Sequence, residues 1–378
     1  MFVKRPESIL LYLASALVAT ATVLGFTTAI KAQTASSTNA ETIIPLEGLD
    51  PVMLTQGKEV QGDMKFKVTR GQFQYIFARA ENQSVFEKDP ARYEIQLDGH
   101  CARMGAPVVG NPDLYAVHNG LIYIFGTPTC KTLFVSAPEK YLEVPTAPKA
   151  VASAEALRRG QMLVAKAVEA MGGASKVDQI RSFQEKDTRG NGNVKNYLQL
   201  AFPDRLRQET VRPNFTLVTV ITPSDSFLII GDAAATMPQA NRNATQNEVK
   251  RKLIVLLRAR TRLDFIVSSI GPAKAGETAV EQVDIEFDAF NTVLGIDPAG
   301  GRVLSQSYRG RGPGGVVGQI VIHYSDFRTV EGLSLPFKTN ATFNGEPFPD
   351  LSTTTETITI NSQIDPATFQ KPKPAGGM

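Results

Sequence analysis

The chain has 378 residues, of which 42% are hydrophobic and 20% are charged. This balance is typical of folded domains and excludes a mainly disordered, collagen-like or coiled-coil protein. Lys and Arg number 40 against 37 Asp and Glu, and a net charge of +3 is too small to indicate a nucleic-acid partner. Two cysteines exclude a disulfide-stapled mini-protein and a four-cysteine zinc site, and three histidines leave little material for a histidine-rich metal centre.

The N-terminus carries the features of an export signal. Lys4 and Arg5 precede an apolar run that ends at Leu24, and small residues follow it. This order predicts a secretory signal peptide over residues 1–32 and a flexible leader over residues 33–45. An uncleaved anchor helix is the alternative, but the apolar run is short for the ~20 residues that span a bilayer. We therefore expect an exported, periplasmic protein that is soluble after signal cleavage.

Residues 46–144 contain an internal repeat. Five positions recur with an offset of 48 residues, namely Tyr75/Tyr123, Phe77/Phe125, Phe86/Phe134, Pro90/Pro138 and Tyr93/Tyr141. Each copy predicts a strand with alternating aromatic positions, followed by a short helix whose aromatic residue faces inward. The proline ends each helix because it cannot continue the hydrogen-bond ladder.

The two copies resemble the YHS domain family. The resemblance rests on Tyr75–Asn82 with Phe86, Asp89, Pro90 and Tyr93, on Gly99–Ala102, and in the second copy on Tyr123–Cys130 through Tyr141. It implies a small duplicated strand–helix module that accompanies metal-handling proteins, since the cysteines of the family are suspected metal ligands. The first copy carries Asn82 where the second carries Cys130, which leaves Cys101 and Cys130 as the two thiols.

Cys101 and Cys130 allow three interpretations. A disulfide in an exported protein would close a loop of 29 residues and stabilise the fold by about 3–4 kcal/mol. A metal site would add His100 or His118 to the two thiolates, which suits a zinc or copper ion. Neighbouring residues such as His100 and Cys101 can ligate together only from a turn. The third interpretation is a pair of buried free thiols.

Beyond a Pro- and Ala-rich linker over residues 145–154, the pattern indicates a large antiparallel β domain over residues 155–373, followed by a tail over 374–378. Helical periodicity predicts one helix over Glu155–Met171, ended by Gly172 and Gly173, and a second over Asn247–Ile270. Period-two segments predict strands at Val194–Phe202, Phe215–Ile221, Ser226–Ile230, Val280–Phe287, Arg302–Tyr308, Gln319–Tyr324, Lys338–Phe343 and Thr353–Ile360.

This second domain resembles the lipoprotein-sorting, or LolA-like, carrier superfamily. The residues that carry the resemblance are Gly172, Gly173, Ile180–Ser182, Tyr324–Arg328, Glu331–Leu333, Leu335–Phe337, Asn361 and Ile364–Pro366. The resemblance implies a half-open β-barrel with helices on its concave face and the binding of lipid-like acyl groups. The expected fold class is therefore α+β, with a small duplicated strand–helix module followed by a large antiparallel half-open barrel.

An open antiparallel sheet must bury one face, and two helices of this length can cover only part of it. We therefore expect an apolar hollow of roughly several hundred cubic ångströms between the helices and the strands. The alternative is a fully packed core without a cavity. Alternating apolar residues are the candidates to line it: Leu198, Leu200, Leu217, Val220, Phe227, Ile229, Ile285 and Phe287. Periodicity alone does not tell which alternate set faces inward.

The leading functional hypothesis is an exported carrier that binds a lipid, lipoprotein acyl chains or another apolar ligand, with the YHS-like module as an accessory. A metal-handling protein that uses Cys101, Cys130 and His100 is the first alternative. The second is an enzyme of unidentified class, although the sequence contains no nucleophile elbow, P-loop or dinucleotide fingerprint. The basic residues from Lys250 to Arg262 make the second helix either an ordinary solvated face or a docking site for an acidic surface.

Overall fold

The computed structural model describes residues 42–105, 108–143, 151–231, 233–237, 239–288 and 290–372. The predicted signal peptide, most of the leader, residues 145–150 of the linker and the C-terminal tail lie outside these residues. The described chain divides into two units. The first contains the residues up to 143 together with Pro313–Val317, and the second contains the other residues from 151 onward.

The first unit consists of two short β-hairpins, each followed by a helix. Its elements are α1 (Pro51–Leu54), β1 (Asp63–Arg70), β2 (Phe73–Phe77), α2 (Ala80–Lys88), α3 (Pro90–Tyr93), β3 (Asn111–His118), β4 (Leu121–Phe125) and α4 (Pro128–Ser136). β3, β4 and α4 begin 48 residues after β1, β2 and α2, so the repeat seen in the sequence is also a repeat of structure. Phe86 and Phe134 are enclosed at equivalent positions of the two helices.

The second unit is built on one large sheet. Its elements are α5 (Ala154–Met171), α6 (Ala174–Asp178), β5 (Ser182–Arg189), β6 (Val194–Ala201), β7 (Arg205–Arg212), β8 (Phe215–Ile221), β9 (Ser226–Ile230), β10 (Ala233–Thr236), α7 (Gln239–Lys250), α8 (Leu253–Arg258), β11 (Ile266–Ala275), β12 (Thr278–Phe287), β13 (Phe290–Ile296), β14 (Val303–Arg311), β15 (Val317–Val330), β16 (Leu333–Phe343), β17 (Glu346–Pro347) and β18 (Thr353–Ile360).

The fourteen strands of this sheet follow the order β10-β9-β8-β7-β6-β5-β18-β16-β15-β14-β13-β12-β11, and β17 pairs with β16. β10 and β11 are its two edges, so the sheet is open. Most neighbours along the sheet are also neighbours in sequence, because short turns join antiparallel strands. The exception is β18, the last strand of the chain, which lies between β5 and β16 and joins the two halves. The predicted α+β class with an open antiparallel sheet and packed helices is confirmed.

The helix predicted over Asn247–Ile270 is wrong in its extent. The structure has two helices, α7 and α8, and the chain enters strand β11 at Ile266. Leu263 and Ile266, which continue the apolar spacing of the predicted helix, are exposed by 107% and 54%. The apolar spacing continued by chance across the turn that follows α8, and periodicity could not locate the helix end because neither Gly nor Pro marks it.

The main core lies between the sheet and helices α5 and α8. Helix α5 buries Val164, Ala167, Val168 and Met171 against β11, β12 and β16. Helix α8 adds four enclosed aliphatic residues to the same core, namely Leu253, Ile254, Leu256 and Leu257. No helix in the described part of the chain has the length and hydropathy of a membrane span.

Gly160 allows helix α5 to approach strand β11 closely. A Cβ atom at this position would lie 2.9 Å from the Ser268 backbone, closer than real Cβ contacts. Either the helix or the strand would have to move to accept a side chain, and backbone atoms cannot rotate away as a flexible side chain can.

We predict that Gly160→Val lowers the free energy of unfolding by about 1–3 kcal/mol because it separates α5 from β11. The matched control is Ala165→Val, an exposed position on the same helix. Chemical denaturation of both variants and the parent protein measures the effect. Equal losses in the two variants would contradict close packing at Gly160.

Candidate functional site

A cavity lies between helices α7 and α8 and the central strands β5, β14, β15, β16 and β18. It leaves about 120 Å³ that the centre of a water molecule can reach, which is enough for about ten waters. This is smaller than the several hundred cubic ångströms expected from the sequence. One cause is that α7 and α8 are separate short helices, and α8 fills the space in front of the sheet with enclosed side chains.

The cavity has an apolar part and a polar part. The apolar and aromatic lining residues are Phe183, Leu253, Ile254, Tyr308, Ile322, Tyr324, Leu335, Pro336, Leu351 and Ile358. The polar lining residues are Glu185, Arg189, Glu248, Arg251, Lys252, Gln306, Thr339, Thr353 and Thr355. A site with apolar walls and a few convergent polar groups is the usual form of a small-molecule pocket.

Strand β5 brings charged side chains to the inner face of the sheet. Side chains of a strand alternate between its two faces, so Phe183, Glu185, Asp187 and Arg189 share one face. All four are buried. β5 was not among the predicted strands, because its charged residues interrupt the apolar alternation from which the strands were predicted. A charged residue at every second position beside an inward Phe was the available signal.

The buried charges on β5 are paired with helix α7 and the turn that follows it. Arg189 contacts Asp187 and Glu248, each at 3.3 Å from a guanidinium nitrogen to a carboxylate oxygen. Lys252 donates to Glu185, which also accepts a 3.2 Å hydrogen bond from the Thr355 hydroxyl. Burial by itself would lower the pKa of Lys252, but Glu185 and Asp187 more than offset it and raise the pKa above its usual value.

Arg251 is held differently from its neighbours. Its guanidinium stacks on the Tyr308 ring at 4.0 Å and lies 5.2 Å from the Phe290 ring centroid. It forms no salt bridge with any residue in the described ranges, and its buried Nε has no hydrogen-bond partner there. Burial lowers the pKa of Arg251, and the electrostatic effects of Tyr308 and Glu248 offset this only in part.

Gln306 also has an unused donor in the cavity. Its side chain is only 1% exposed, and its Oε1 accepts a 2.9 Å hydrogen bond from the Tyr324 hydroxyl. The amide Nε2 is buried and has no partner among the described residues. Buried donors nearly always have a hydrogen-bond partner in folded proteins, so an unpaired buried donor requires a physical explanation.

We predict that Lys252→Met lowers the free energy of unfolding by roughly 2–4 kcal/mol, because it leaves the Glu185 carboxylate buried without its cation. Lys65→Met is the matched control, since Lys65 and Asp63 are both largely exposed and 3.9 Å apart. Urea denaturation at neutral pH compares the two. A loss at Lys252 no larger than the loss at Lys65 would contradict the pairing.

The eight residues predicted to line the ligand hollow lie on both faces of the sheet. Five of them pack in the main core on the helix-covered face: Leu198, Leu200, Leu217, Ile285 and Phe287. Val220, Phe227 and Ile229 lie on the opposite face, where they pack with Ile364 and Phe369 of the C-terminal segment. None of the eight is among the described lining residues of the cavity. Sequence periodicity grouped them correctly as alternating strand residues but could not assign a face.

Four of the six basic residues between 250 and 262 form ion pairs within the second unit. Lys250 pairs with Asp288, Arg260 with Asp178 and Arg262 with Asp264, each at 2.8 Å. Lys252 pairs with Glu185 as described above. These ion pairs take up much of the charge on which docking to an acidic surface would depend.

A second hollow lies beside α6 and the turn between β6 and β7. It is wider, about 420 Å³ by the same measure, but more open to solvent. Four of its seven lining residues are polar or charged, namely Asp178, Gln179, Arg181 and Arg258. The cavity between the helices and the sheet is the better candidate site, because it alone of the two combines an extensive apolar wall with enclosed polar groups.

In the first unit the structure brings Cys101 and Cys130 together. Both are buried free thiols, and their side chains hydrogen-bond to each other, so the disulfide proposed from the sequence is not formed in this structure. Cys130 lies in the first turn of α4, where its backbone N–H donates to the Thr127 hydroxyl at 3.2 Å. The equivalent residue of the first copy, Asn82, donates instead to the Asp50 carboxylate at 2.6 Å. The residue at this helix position therefore hydrogen-bonds to Asp50 in the first copy and pairs with Cys101 in the second.

The surroundings of the two thiols shift their pKa values in opposite directions. The hydrogen bond from Cys101, with smaller contributions from Thr127 and from the Arg103 guanidinium 3.9 Å away, lowers the pKa of Cys130 to about 5 against the opposing effect of burial. The same hydrogen bond and burial raise the pKa of Cys101.

The residues around the thiols do not form the zinc site with three or more protein ligands that was one of the alternatives from the sequence. The His100 Nδ1 lies 2.9 Å from the Leu97 carbonyl oxygen, and the His118 ring packs edge-on against Phe134. The described residues contain no group of three His, Cys, Asp or Glu side chains placed to share a metal ion. Zinc sites in proteins use at least three such ligands.

We predict that the Cys130 thiolate persists in the native protein down to about pH 5, well below the usual thiol range near 8.5. Its absorbance at 240 nm should be lost as the pH falls through that value. Cys101→Ala removes the main donor and should move the midpoint upward, whereas Cys130→Ser should abolish the low-pH step. A single step near pH 8.5 in the parent protein would contradict the assignment.

Comparisons with known proteins give a fold likeness and no family. No protein-family model and no curated protein matches the chain. A DUF1329 family protein from Desulfovibrio piger is 12% identical over 56% of this chain and 97% of its own, with a TM-score of 0.37. A putative outer membrane lipoprotein-sorting protein domain from Vibrio parahaemolyticus is 10% identical over 56% and 97%, with a TM-score of 0.34. A LolA superfamily protein from Nitrosomonas europaea is 10% identical over 58% and 99%, with a TM-score of 0.35.

These identities and TM-scores are low, so no function is inferred from them. The YHS resemblance of residues 46–144 gains no support from the family comparison. The functional argument therefore depends on the geometry of the site.

Proposed function

We propose that the protein is an exported, periplasmic binding protein whose second unit holds an apolar, lipid-like ligand in the cavity between α7–α8 and the sheet. The observation that carries the proposal is a cavity at the main core with ten apolar or aromatic lining residues. Protein interiors rarely keep such space, because each unfilled volume forfeits packing energy. The first unit serves as an accessory module.

The dimensions of the cavity favour a single chain. About 120 Å³ of space for water-sized centres accommodates the end of one acyl chain better than a multi-chain lipid. The aliphatic residues Leu253, Ile254, Leu335 and Ile358 would surround such a chain. Transfer of its methylene groups from water to this wall would supply about 0.8 kcal/mol for each group that is buried.

The test uses N-phenyl-1-naphthylamine, a neutral fluorescent probe that has no acidic head. We expect saturable, blue-shifted fluorescence at about one probe per protein. Leu351→Trp should weaken this binding at least tenfold, because Leu351 lines the cavity from the turn Pro349–Leu351 and a larger ring would fill part of the space. Leu263→Trp is the matched control, since Leu263 is fully exposed outside the cavity.

Two results would overturn the proposal. The first is fluorescence that rises without saturation in the parent protein, which indicates no defined site. The second is binding that Leu351→Trp and Leu263→Trp affect equally, which would place the probe elsewhere. Circular dichroism of both variants establishes that the fold is intact.

A further inference from the structure

The polar part of the cavity contains two hydrogen-bond donors that have no partner among the described residues. Arg251 and Gln306 both line the cavity, and each has a buried side-chain N–H group without a partner in the described part of the chain. The Gln306 side chain is 1% exposed, so bulk solvent does not replace the missing partner. Two unsatisfied donors in one cavity indicate that a bound molecule supplies acceptor atoms.

Several acceptors in the cavity already have hydrogen-bond partners. The Glu185 carboxylate accepts from Lys252 and Thr355, and the Glu248 carboxylate accepts from Arg189. The Gln306 Oε1 accepts from Tyr324. Rotation of one of these bonded oxygen atoms toward Arg251 would break an existing contact, whereas a bound molecule would supply an acceptor without that loss.

The contacts of Arg251 point to the sign of the head group. Arg189 and Lys252 each have a carboxylate partner, whereas the Arg251 guanidinium has aromatic neighbours at 4.0 and 5.2 Å and no salt bridge with a described residue. Aromatic faces stabilise a cation only partly and accept no directed hydrogen bond in the ring plane of the guanidinium. A carboxylate would satisfy the guanidinium in both charge and geometry.

We propose that the ligand of this cavity is an amphiphile with a carboxylate head, and that Arg251 and Gln306 bind the head while the apolar wall holds the chain. This inference rests on the proposed function and adds the class of ligand. A head group that carries only donors, such as an ammonium, would leave both buried donors unsatisfied and would bring a second cation next to Arg251.

The experiment compares dodecanoate with dodecylamine, which have the same chain length and opposite head groups. Both are titrated below their micelle concentrations as competitors of N-phenyl-1-naphthylamine at pH 7.5, where the acid is ionised and the amine is protonated. We expect dodecanoate to bind at least tenfold more tightly, a difference of about 1.4 kcal/mol.

Two variants assign the preference to the named residues. Arg251→Met keeps a chain of similar length but removes the guanidinium, and Gln306→Met does the same for the amide. Each should reduce the ratio of the two affinities at least threefold, with the larger reduction for Arg251→Met. Arg205→Met is the matched control, because Arg205 is exposed on β7, outside the cavity, and should leave the ratio unchanged.

The outcomes separate this inference from the proposed function. If the acid and the amine compete equally well, the cavity binds apolar chains but the carboxylate inference is wrong. If neither competes and the probe itself does not bind, the proposed function fails and the inference fails with it. If the acid is preferred but both Met variants keep the preference, another site recognises the head, and the assignment to Arg251 and Gln306 is overturned.

Discussion

An open antiparallel sheet has to bury one of its faces against something other than itself, and the rest of the second unit follows from that constraint. Helix α5 covers the strands β11, β12 and β16 at a distance that only Gly160 permits. Helix α8 covers the centre with enclosed aliphatic residues. The short C-terminal segment around Phe369 covers part of the opposite face. A cavity remains where these covering segments do not meet.

The polar character of that cavity arises from strand β5. Its inward residues change from Phe183 to Glu185, Asp187 and Arg189 along the strand, so α7 and the residues after it dock there through ion pairs as well as apolar contacts. Buried ion pairs contribute little net stability because of the desolvation they require, but they fix geometry. They also use up their own carboxylates, which leaves Arg251 and Gln306 with unused donors beside an aliphatic wall.

The sequence predicted what depends on local pattern, and the remainder depends on contacts between distant segments. Helix α5, its Gly172–Gly173 end, the repeated hairpin–helix units and eight strand segments were visible as periodicities or offsets. The break between α7 and α8 was not, because apolar spacing continued to Leu263 and Ile266. The cavity was not predictable either: the strands that line it are neighbours only because β18 returns to lie between β5 and β16. Leu217 and Val220 illustrate the same limit, since alternation groups residues by face but does not say which face the helices cover.

The most direct test of the central claim is an isotope-filtered nuclear Overhauser experiment on the protein with bound dodecanoate. The account predicts contacts from the chain methylene protons to the methyl groups of Ile254, Leu335 and Ile358, which line the cavity on the helix-covered face. Contacts to Val220 or Ile229 on the opposite face, or no intermolecular contacts at saturating ligand, would contradict it.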